Sequence, residues 1–99
     1  MADTIVSLRP INAASFSLKY TVTAADEAAQ GILFDFQTGH DLVATAMVTA
    51  PTTGAVVVSN IAVSYPAAGQ VRVFGTGLAE NQTVTIVAGI NGLDAALKV

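Results

Sequence analysis

The sequence predicts an all-β fold, an antiparallel sandwich of seven or eight short strands in a single domain that spans residues 1–99. Apolar and polar side chains alternate along most of the chain, which is the pattern of a strand with one buried face. Turn-forming residues separate these stretches at short intervals. Of the 99 residues, 53% are hydrophobic. A chain this apolar is not disordered, and it buries roughly 65% of its unfolded surface in one core.

The first half of the chain contains four predicted strands. A short one lies near residues 5–8, and FSLKYTVT (16–23), GILFDF (31–36) and LVATAMVTA (42–50) follow. Period-two alternation places one set of side chains inward in the second and third of these. The predicted inward residues are Phe16, Leu18, Tyr20 and Val22, then Ile32, Phe34 and Phe36. The fourth stretch is apolar on both faces.

The interval TAADEAAQG (23–31) is the one helix-like segment. Thr23, with Asp26 three residues further on, predicts a capping box for a single turn of helix. Gly31 is predicted to end that turn. A plain loop is the alternative.

The second half begins with AVVVSNIAVSY (55–65), whose alternation changes phase. Apolar residues occupy positions 56 and 58, then 61, 63 and 65, so the pattern shifts by one residue at Ser59-Asn60. Such a shift would turn the core face outward, so a bulge or a tight turn is expected there. The next strands are GQVRVFG (69–75) and QTVTIVAGI (82–90), with Val71, Val73, Val84, Ile86, Ala88 and Ile90 inward.

Turn chemistry completes the prediction. PTTG (51–54), YPAAG (65–69) and GTGLAEN (75–81) carry the Pro, Gly and Asn residues that turns need. Asn91-Gly92 predicts a type I′ hairpin turn before a final strand at residues 95–99. The whole set predicts an immunoglobulin-like sandwich. A small barrel or a jelly-roll-like sandwich is the alternative.

The segment FDFQTGHDL (34–42) holds most of the chemistry-bearing groups, and we considered it as a metal site. Asp35, His40 and Asp41 are residue types that zinc or divalent iron accepts. Adjacent residues in a strand point to opposite faces, however, so His40 and Asp41 are expected to diverge in a solvated turn. No nucleophile elbow or phosphate loop occurs in the chain. We therefore expect no catalytic residues, no cofactor, no metal and no enzymatic activity.

Charge and the length of apolar runs argue against two classes of partner, nucleic acids and membranes. Charged residues make up 11% of the chain, against about 25% in an ordinary domain. The four bases, Arg9, Lys19, Arg72 and Lys98, are scattered, so no basic stripe predicts nucleic-acid binding. No apolar run reaches the roughly 18 residues of a membrane span. The N-terminus lacks the pattern of a signal peptide.

The predicted outward faces are poor in charge, which favours burial against other proteins. Exposed apolar patches usually mark interfaces, although strand exteriors rich in Thr are also normal. Edge strands without Lys would also pair with neighbouring chains unless they are covered. The sequence therefore predicts a homo-oligomer, with a trimer as one form. The predicted interface residues are Leu33, Val43, Met47, Val57 and Val87.

The run FDFQTGHDLVATAMVTAP, followed by residues 55–99, resembles small immunoglobulin-like structural proteins of tailed-phage virions. The resemblance spans roughly residues 34–99. The residues that carry it are Asp35-Phe36, Asp41, the Val58-Ser59-Asn60 corner, the glycines of residues 75–77 and the TVTI run of residues 83–86. A sub-pattern resembles fibre–tail adaptors, whose tryptophans this chain lacks. The resemblance implies no catalytic residues.

The resemblance implies a non-enzymatic structural protein located in the virion and made in the host cytoplasm. Its partners would be other virion proteins, either the major capsid protein or tail and fibre proteins. Capsid decoration is the preferred role, and a tail or fibre adaptor of the phage neck or tail is the alternative. A bacterial surface adhesion module is a further hypothesis. A metal-dependent enzyme that uses His40 is the third class considered.

Overall fold

A computed structural model describes residues 3–9 and 15–90, and that part of the chain is a two-layer β-sandwich with one short helix. The elements are β1 (Thr4–Ser7), β2 (Ser15–Thr21), α1 (Ala24–Ala29), β3 (Gly31–Asp35), β4 (Leu42–Thr49), β5 (Val56–Val58), β6 (Ala62–Ser64), β7 (Gln70–Phe74) and β8 (Thr83–Ile90). The predicted all-β class and the predicted strands within these ranges are confirmed.

The strands form two four-stranded sheets. Sheet I has the order β1-β3-β7-β6, and sheet II has the order β2-β8-β4-β5. The chain passes repeatedly from one sheet to the other, so that β1 and β3 lie in sheet I while β2 and β4 lie in sheet II. The described strand pairs are antiparallel except β1 with β3, which run parallel with Thr4 opposite Ile32.

The core lies between the inner faces of the two sheets. Its fully enclosed members alternate along the strands as the sequence predicts, and they include Ile32, Phe34, Val48, Val71, Val73, Val84 and Ile86, each 0% exposed. Aromatic rings connect the layers: Tyr20 of sheet II meets Phe34 of sheet I edge-on at 5.3 Å, and Phe16 meets Phe36 at 4.8 Å. Edge-to-face and tilted contacts at these distances are the favourable arrangements of aromatic pairs.

The phase change at Ser59-Asn60 marks the place where the chain leaves sheet II and enters sheet I. β5 belongs to one sheet and β6 to the other, so each follows the core face of its own sheet. A bend at Ser59-Asn60 fits the predicted tight turn. Ile61 follows it, is 5% exposed, and donates its N–H to the carbonyl oxygen of Ala46 at 3.0 Å. A separate register shift occurs where β5 pairs with Thr49.

The predicted capping box of α1 is confirmed. The Asp26 N–H donates to Thr23 Oγ1 at 3.2 Å, and the Thr23 N–H donates to Asp26 Oδ2 at 2.8 Å. The predicted stop at Gly31 is wrong by one residue, because Gln30 takes the left-handed conformation (φ 55°) and donates its N–H to the Asp26 carbonyl. Gly31 instead begins β3, where a Cβ atom would meet the carboxylate of Asp3.

The predicted turn at Asn91-Gly92 and the predicted strand at residues 95–99 lie outside the described residues. β8, which precedes them, already has a neighbour on each side, with Gly89 opposite both Ser15 and Val43.

No helix in residues 3–9 and 15–90 is long and apolar enough to cross a membrane.

Candidate interaction surface

The segment of residues 34–42 forms the end of β3 and an exposed loop. The Gln37 N–H donates to Asp35 Oδ1 at 3.0 Å, and the His40 N–H donates to Thr38 Oγ1 at 3.3 Å. His40 and Asp41 are both exposed. Within residues 3–9 and 15–90, no three His, Cys, Asp or Glu side chains are grouped closely enough to hold a metal ion. His40 and Asp41 therefore lie in a solvated loop, whereas Asp35 lies at the end of β3.

The most enclosed polar group in the described chain is the carboxylate of Asp26, which is 1% exposed. It accepts hydrogen bonds from the Tyr20 hydroxyl at 2.7 Å, from the Thr23 N–H at 2.8 Å and from the Thr4 hydroxyl. Thr4 lies in sheet I and Tyr20 in sheet II, so the carboxylate joins both sheets to α1. This arrangement is closed to solvent and serves the fold.

Burial and hydrogen bonding shift the pKa values of this cluster. Burial raises the pKa of Asp26, but the hydrogen bonds from Thr4, Thr23 and Tyr20 outweigh it and hold that pKa below its usual value. Burial and the hydrogen bond to the Asp26 carboxylate raise the pKa of Tyr20 to about 12. The cluster is therefore an ionised carboxylate that accepts from neutral donors at neutral pH.

The outer face of sheet II has an unusual composition. Here this name means the outward residues of β2, β4 and β8. They are Ser15, Ser17, Lys19, Thr21, Val43, Thr45, Met47, Thr49, Thr83, Thr85, Val87 and Gly89. Lys19 is the one charged side chain among them. Val43 is 51% exposed and Val87 is 56% exposed, so both add exposed apolar surface to this face.

Two shallow depressions shape this face. One, of about 230 Å³, lies between Met47, Thr45 and Val87 and reaches Ser59. The other, of about 500 Å³, lies between Lys19, Met47 and the turn of residues 50–54. Both are open to solvent at the bottom of a hydroxyl-rich surface, so the face offers relief that a protein partner can fill.

The structure brings together most, but not all, of the predicted interface residues. Val43, Met47 and Val87 lie on the outer face of sheet II, and Val57, 48% exposed, lies on β5 at the edge of the same sheet. Leu33 is elsewhere, on the outer side of sheet I between Ile5 and Arg72. Alternation places a side chain inward or outward, but it does not say to which sheet the strand belongs.

The outer side of sheet I differs in its charge. Arg72 forms an ion pair with Asp3, and its guanidinium lies 4.2 Å from the ring centre of Phe74. Ile5, which was not among the predicted interface residues, is 68% exposed there. Its position outward from β1 follows only from the pairing of β1 with β3, which the sequence pattern does not reveal.

Comparisons of the chain with protein-family models, with curated proteins and with solved structures find no match. The surface itself is therefore the guide to function. Among the described residues, that surface offers one charge-poor apolar face and a smaller apolar spot on the opposite side.

Proposed function

We propose that this chain is a non-enzymatic structural protein of a tailed-phage virion that docks on the particle through the outer face of sheet II. The observation that carries the proposal is the pair of exposed valines, Val43 and Val87, beside Met47 on a face with one charged residue. Depletion of charge and enrichment of apolar side chains characterise the centre of protein interfaces. Leaving such residues exposed to water gives a free chain no benefit, whereas covering them stabilises a complex.

Capsid decoration is the role that fits the size of this face best. Strands of eight residues rise about 3.4 Å per residue and lie about 4.8 Å apart, so the face covers a few hundred Å². An interface that size is below the roughly 800 Å² per partner of a standard stable complex. Many copies on a symmetrical shell compensate for weak single contacts, and each bound copy stabilises the assembled state by mass action.

The immunoglobulin-like subtype is part of this proposal, and the strand order supports it. The order β3-β7-β6 corresponds to strands B-E-D of that fold, and β5-β4-β8 corresponds to C′-C-F. The edges differ, because β2 lies beside β8 where strand G would be expected, and β1 runs parallel to β3. The correspondence therefore covers six strands, from β3 to β8.

A tail or fibre adaptor is the second candidate, and one observation favours it. Ile5, 68% exposed, and Leu33 form a second apolar spot on the outer side of sheet I. An adaptor contacts different proteins on two sides, whereas a decoration protein needs one principal docking face. The two roles therefore make different demands on Ile5.

The test is binding of the purified protein to phage particles stripped of it, with the melting temperature of the particles as the readout. The variants are Val87→Asp and the matched control Ile5→Asp, which places the same charge on the opposite face. We expect the wild-type protein and Ile5→Asp to bind and raise the melting temperature, and Val87→Asp to do neither. Loss of binding with both variants supports the adaptor, and no binding of the wild-type protein to capsids or tails overturns the proposal.

A further inference from the structure

The edge of sheet II at β2 is the longest strand edge in the described part of the chain. β2 has seven residues, whereas the other edge strands, β1, β5 and β6, have four, three and three. Its one neighbour among the described strands is β8. Long edges offer a row of backbone donors and acceptors to another strand, and proteins usually cover or interrupt them.

The direction of the backbone groups of β2 follows from one hydrogen bond. The Val22 N–H donates to the carbonyl oxygen of Gln82 at 2.8 Å, so position 22 turns its backbone groups toward the strand of β8. Successive residues of an antiparallel strand direct these groups to opposite sides. Phe16, Leu18 and Tyr20 therefore bond to β8. The N–H and C=O groups of the odd-numbered residues, such as Ser17 and Lys19, face the opposite edge, which is open among the described residues.

The inward side chains of β2 are open along the same edge. Phe16, Leu18 and Tyr20 are only partly buried, although they belong to the core layer. Their cross-strand neighbours on β8, Val84, Ile86 and Ala88, are at most 3% exposed. This difference between neighbouring strands indicates that, within residues 3–9 and 15–90, apolar surface is left uncovered on the far side of β2, where an added strand would lie.

We propose that a second copy of this chain covers the edge, with β2 pairing antiparallel to β2 about a two-fold axis at Leu18. In this register Leu18 lies opposite Leu18 of the second copy, Phe16 opposite Tyr20 of the second copy, and Ser17 opposite Lys19 of the second copy. Inward side chains then meet inward side chains, as a shared core face requires. The odd-numbered residues supply about eight backbone hydrogen bonds between the copies. Sheet II of one copy and sheet II of the other thereby become one continuous eight-stranded sheet.

The proposed dimer brings two positive charges near each other, so its stability should depend on salt. β2 carries no acidic residue, and its one charge, Lys19, faces a serine across the axis. The two Lys19 ammonium groups lie on a diagonal, about 7 Å apart at their backbone positions, and repel each other. Added salt screens this repulsion, so we expect association to strengthen with ionic strength. The dimer uses the backbone edge of β2, and Val43, Met47 and Val87 on the outer face of sheet II stay available for docking.

Cross-linking through single cysteines tests the register, because the chain contains no cysteine. Leu18 and its symmetry mate form a non-hydrogen-bonded pair with Cα atoms about 4.5 Å apart, within the range of a disulfide. We expect mild oxidation of Leu18→Cys to give a covalent dimer, and Val87→Cys, although more exposed, to remain monomeric. The opposite result indicates contact through the outer faces, and it overturns this inference while leaving the proposed function intact.

Sedimentation of the uncross-linked protein tests the pairing without altering the core. Ser17→Pro removes an N–H that faces the open edge and leaves the bonds to β8 in place, and Ser17→Ala is its matched control. We expect the wild-type protein and Ser17→Ala to reach twice the chain mass of 10.0 kDa at high concentration, and Ser17→Pro to stay monomeric. A wild-type monomer at every concentration, or a Ser17→Pro dimer, overturns the proposal and assigns the edge to another part of the same chain or another surface.

Discussion

The phenolic hydroxyl of Tyr20 donates a 2.7 Å hydrogen bond to the carboxylate of Asp26, six residues further along the chain. Tyr20 lies on β2, Asp26 lies in the first turn of α1, and the same carboxylate accepts the hydroxyl of Thr4 from β1. One buried charge thereby fixes the helix between the first strands of the two sheets. Because the Asp26 carboxylate is ionised and enclosed, loss of any one of these donors is expected to destabilise the folded chain.

Replacement of Asp26 by Asn is expected to lower the free energy of unfolding by about 2 to 3 kcal/mol, since an amide offers one acceptor oxygen where three donors converge on two. The measurement is chemical denaturation monitored by circular dichroism. Glu27→Gln is the matched control, because it removes an acid from the same turn at an exposed position and keeps an acceptor for the Glu80 N–H. Equal stability of the two variants would contradict the structural role of Asp26.

The Asp26 cluster also predicts how stability changes in acid. Its pKa is lowered in the folded chain from the ordinary 3.8, so the unfolded chain binds the proton more readily. The contribution of Asp26 is complete above the unfolded value and is lost as pH falls through the folded value. We expect the free energy of unfolding to decrease below about pH 4, and to decrease less steeply in Asp26→Asn. Parallel pH profiles for the two proteins would refute this.

At alkaline pH the group that links stability to pH is Tyr20, and its contribution is lost as pH rises. Its pKa is raised from 10.0 to about 12, so folding favours the neutral phenol. The stability it contributes is complete below pH 10 and is lost as pH rises toward 12. Absorbance of the phenolate gives the direct measurement, and Tyr20→Phe gives the control. We expect the wild-type spectrum to contain one tyrosine that titrates late and the variant spectrum to lack it.

Gly54 and Gly69 have similar φ angles but different surroundings, so substitutions there distinguish backbone strain from steric overlap. Gly54 (φ 70°) has open space where a Cβ would be, whereas a Cβ on Gly69 (φ 75°) would overlap the backbone of Thr38. Gly69 also ties the loop of residues 36–41 to β7, through its N–H to the His40 carbonyl at 2.9 Å. We expect Gly54→Ala to lower the free energy of unfolding by about 1 kcal/mol and Gly69→Ala to lower it distinctly more, as measured by thermal melting. Equal costs would mean that the loop moves freely to accept the methyl group.

The strands were predictable because burial imposes a period of two on each strand separately. Val71, Val73 and Ile86 are inward for that reason, whatever their neighbours are. Which strands pair is a long-range property that alternation does not encode. The parallel neighbour of β1 and the separation of Leu33 from Val87 were therefore beyond the pattern.

The Asp26 cluster divides along the same line. The bonds between Thr23 and Asp26 span three residues, and the capping spacing predicts them. The bond from Thr4 spans 22 residues and crosses between elements, so it depends on the assembled fold. The end of α1 was misplaced because Gln30, and not the glycine after it, adopts the left-handed conformation.

Tyr65 covers a backbone edge of β4 that strand pairing leaves open. Its hydroxyl accepts the Ala44 N–H at 2.8 Å and donates to the Ala44 carbonyl at 3.1 Å. β5 pairs with β4 only at Val48 and Thr49, so Ala44 lies beyond the reach of that strand. The hydroxyl therefore takes the place of a strand at this point of sheet II.

Tyr65→Phe keeps the ring and removes both hydrogen bonds. We therefore expect the free energy of unfolding to fall by about 1 kcal/mol and hydrogen exchange at the Ala44 amide to become faster. Thr45 provides the internal control, because its backbone groups face β8, opposite Val87, and its amide should keep its protection. Exchange that accelerates equally at both amides would indicate general loosening of β4. Unchanged exchange at Ala44 would mean that another group protects this edge.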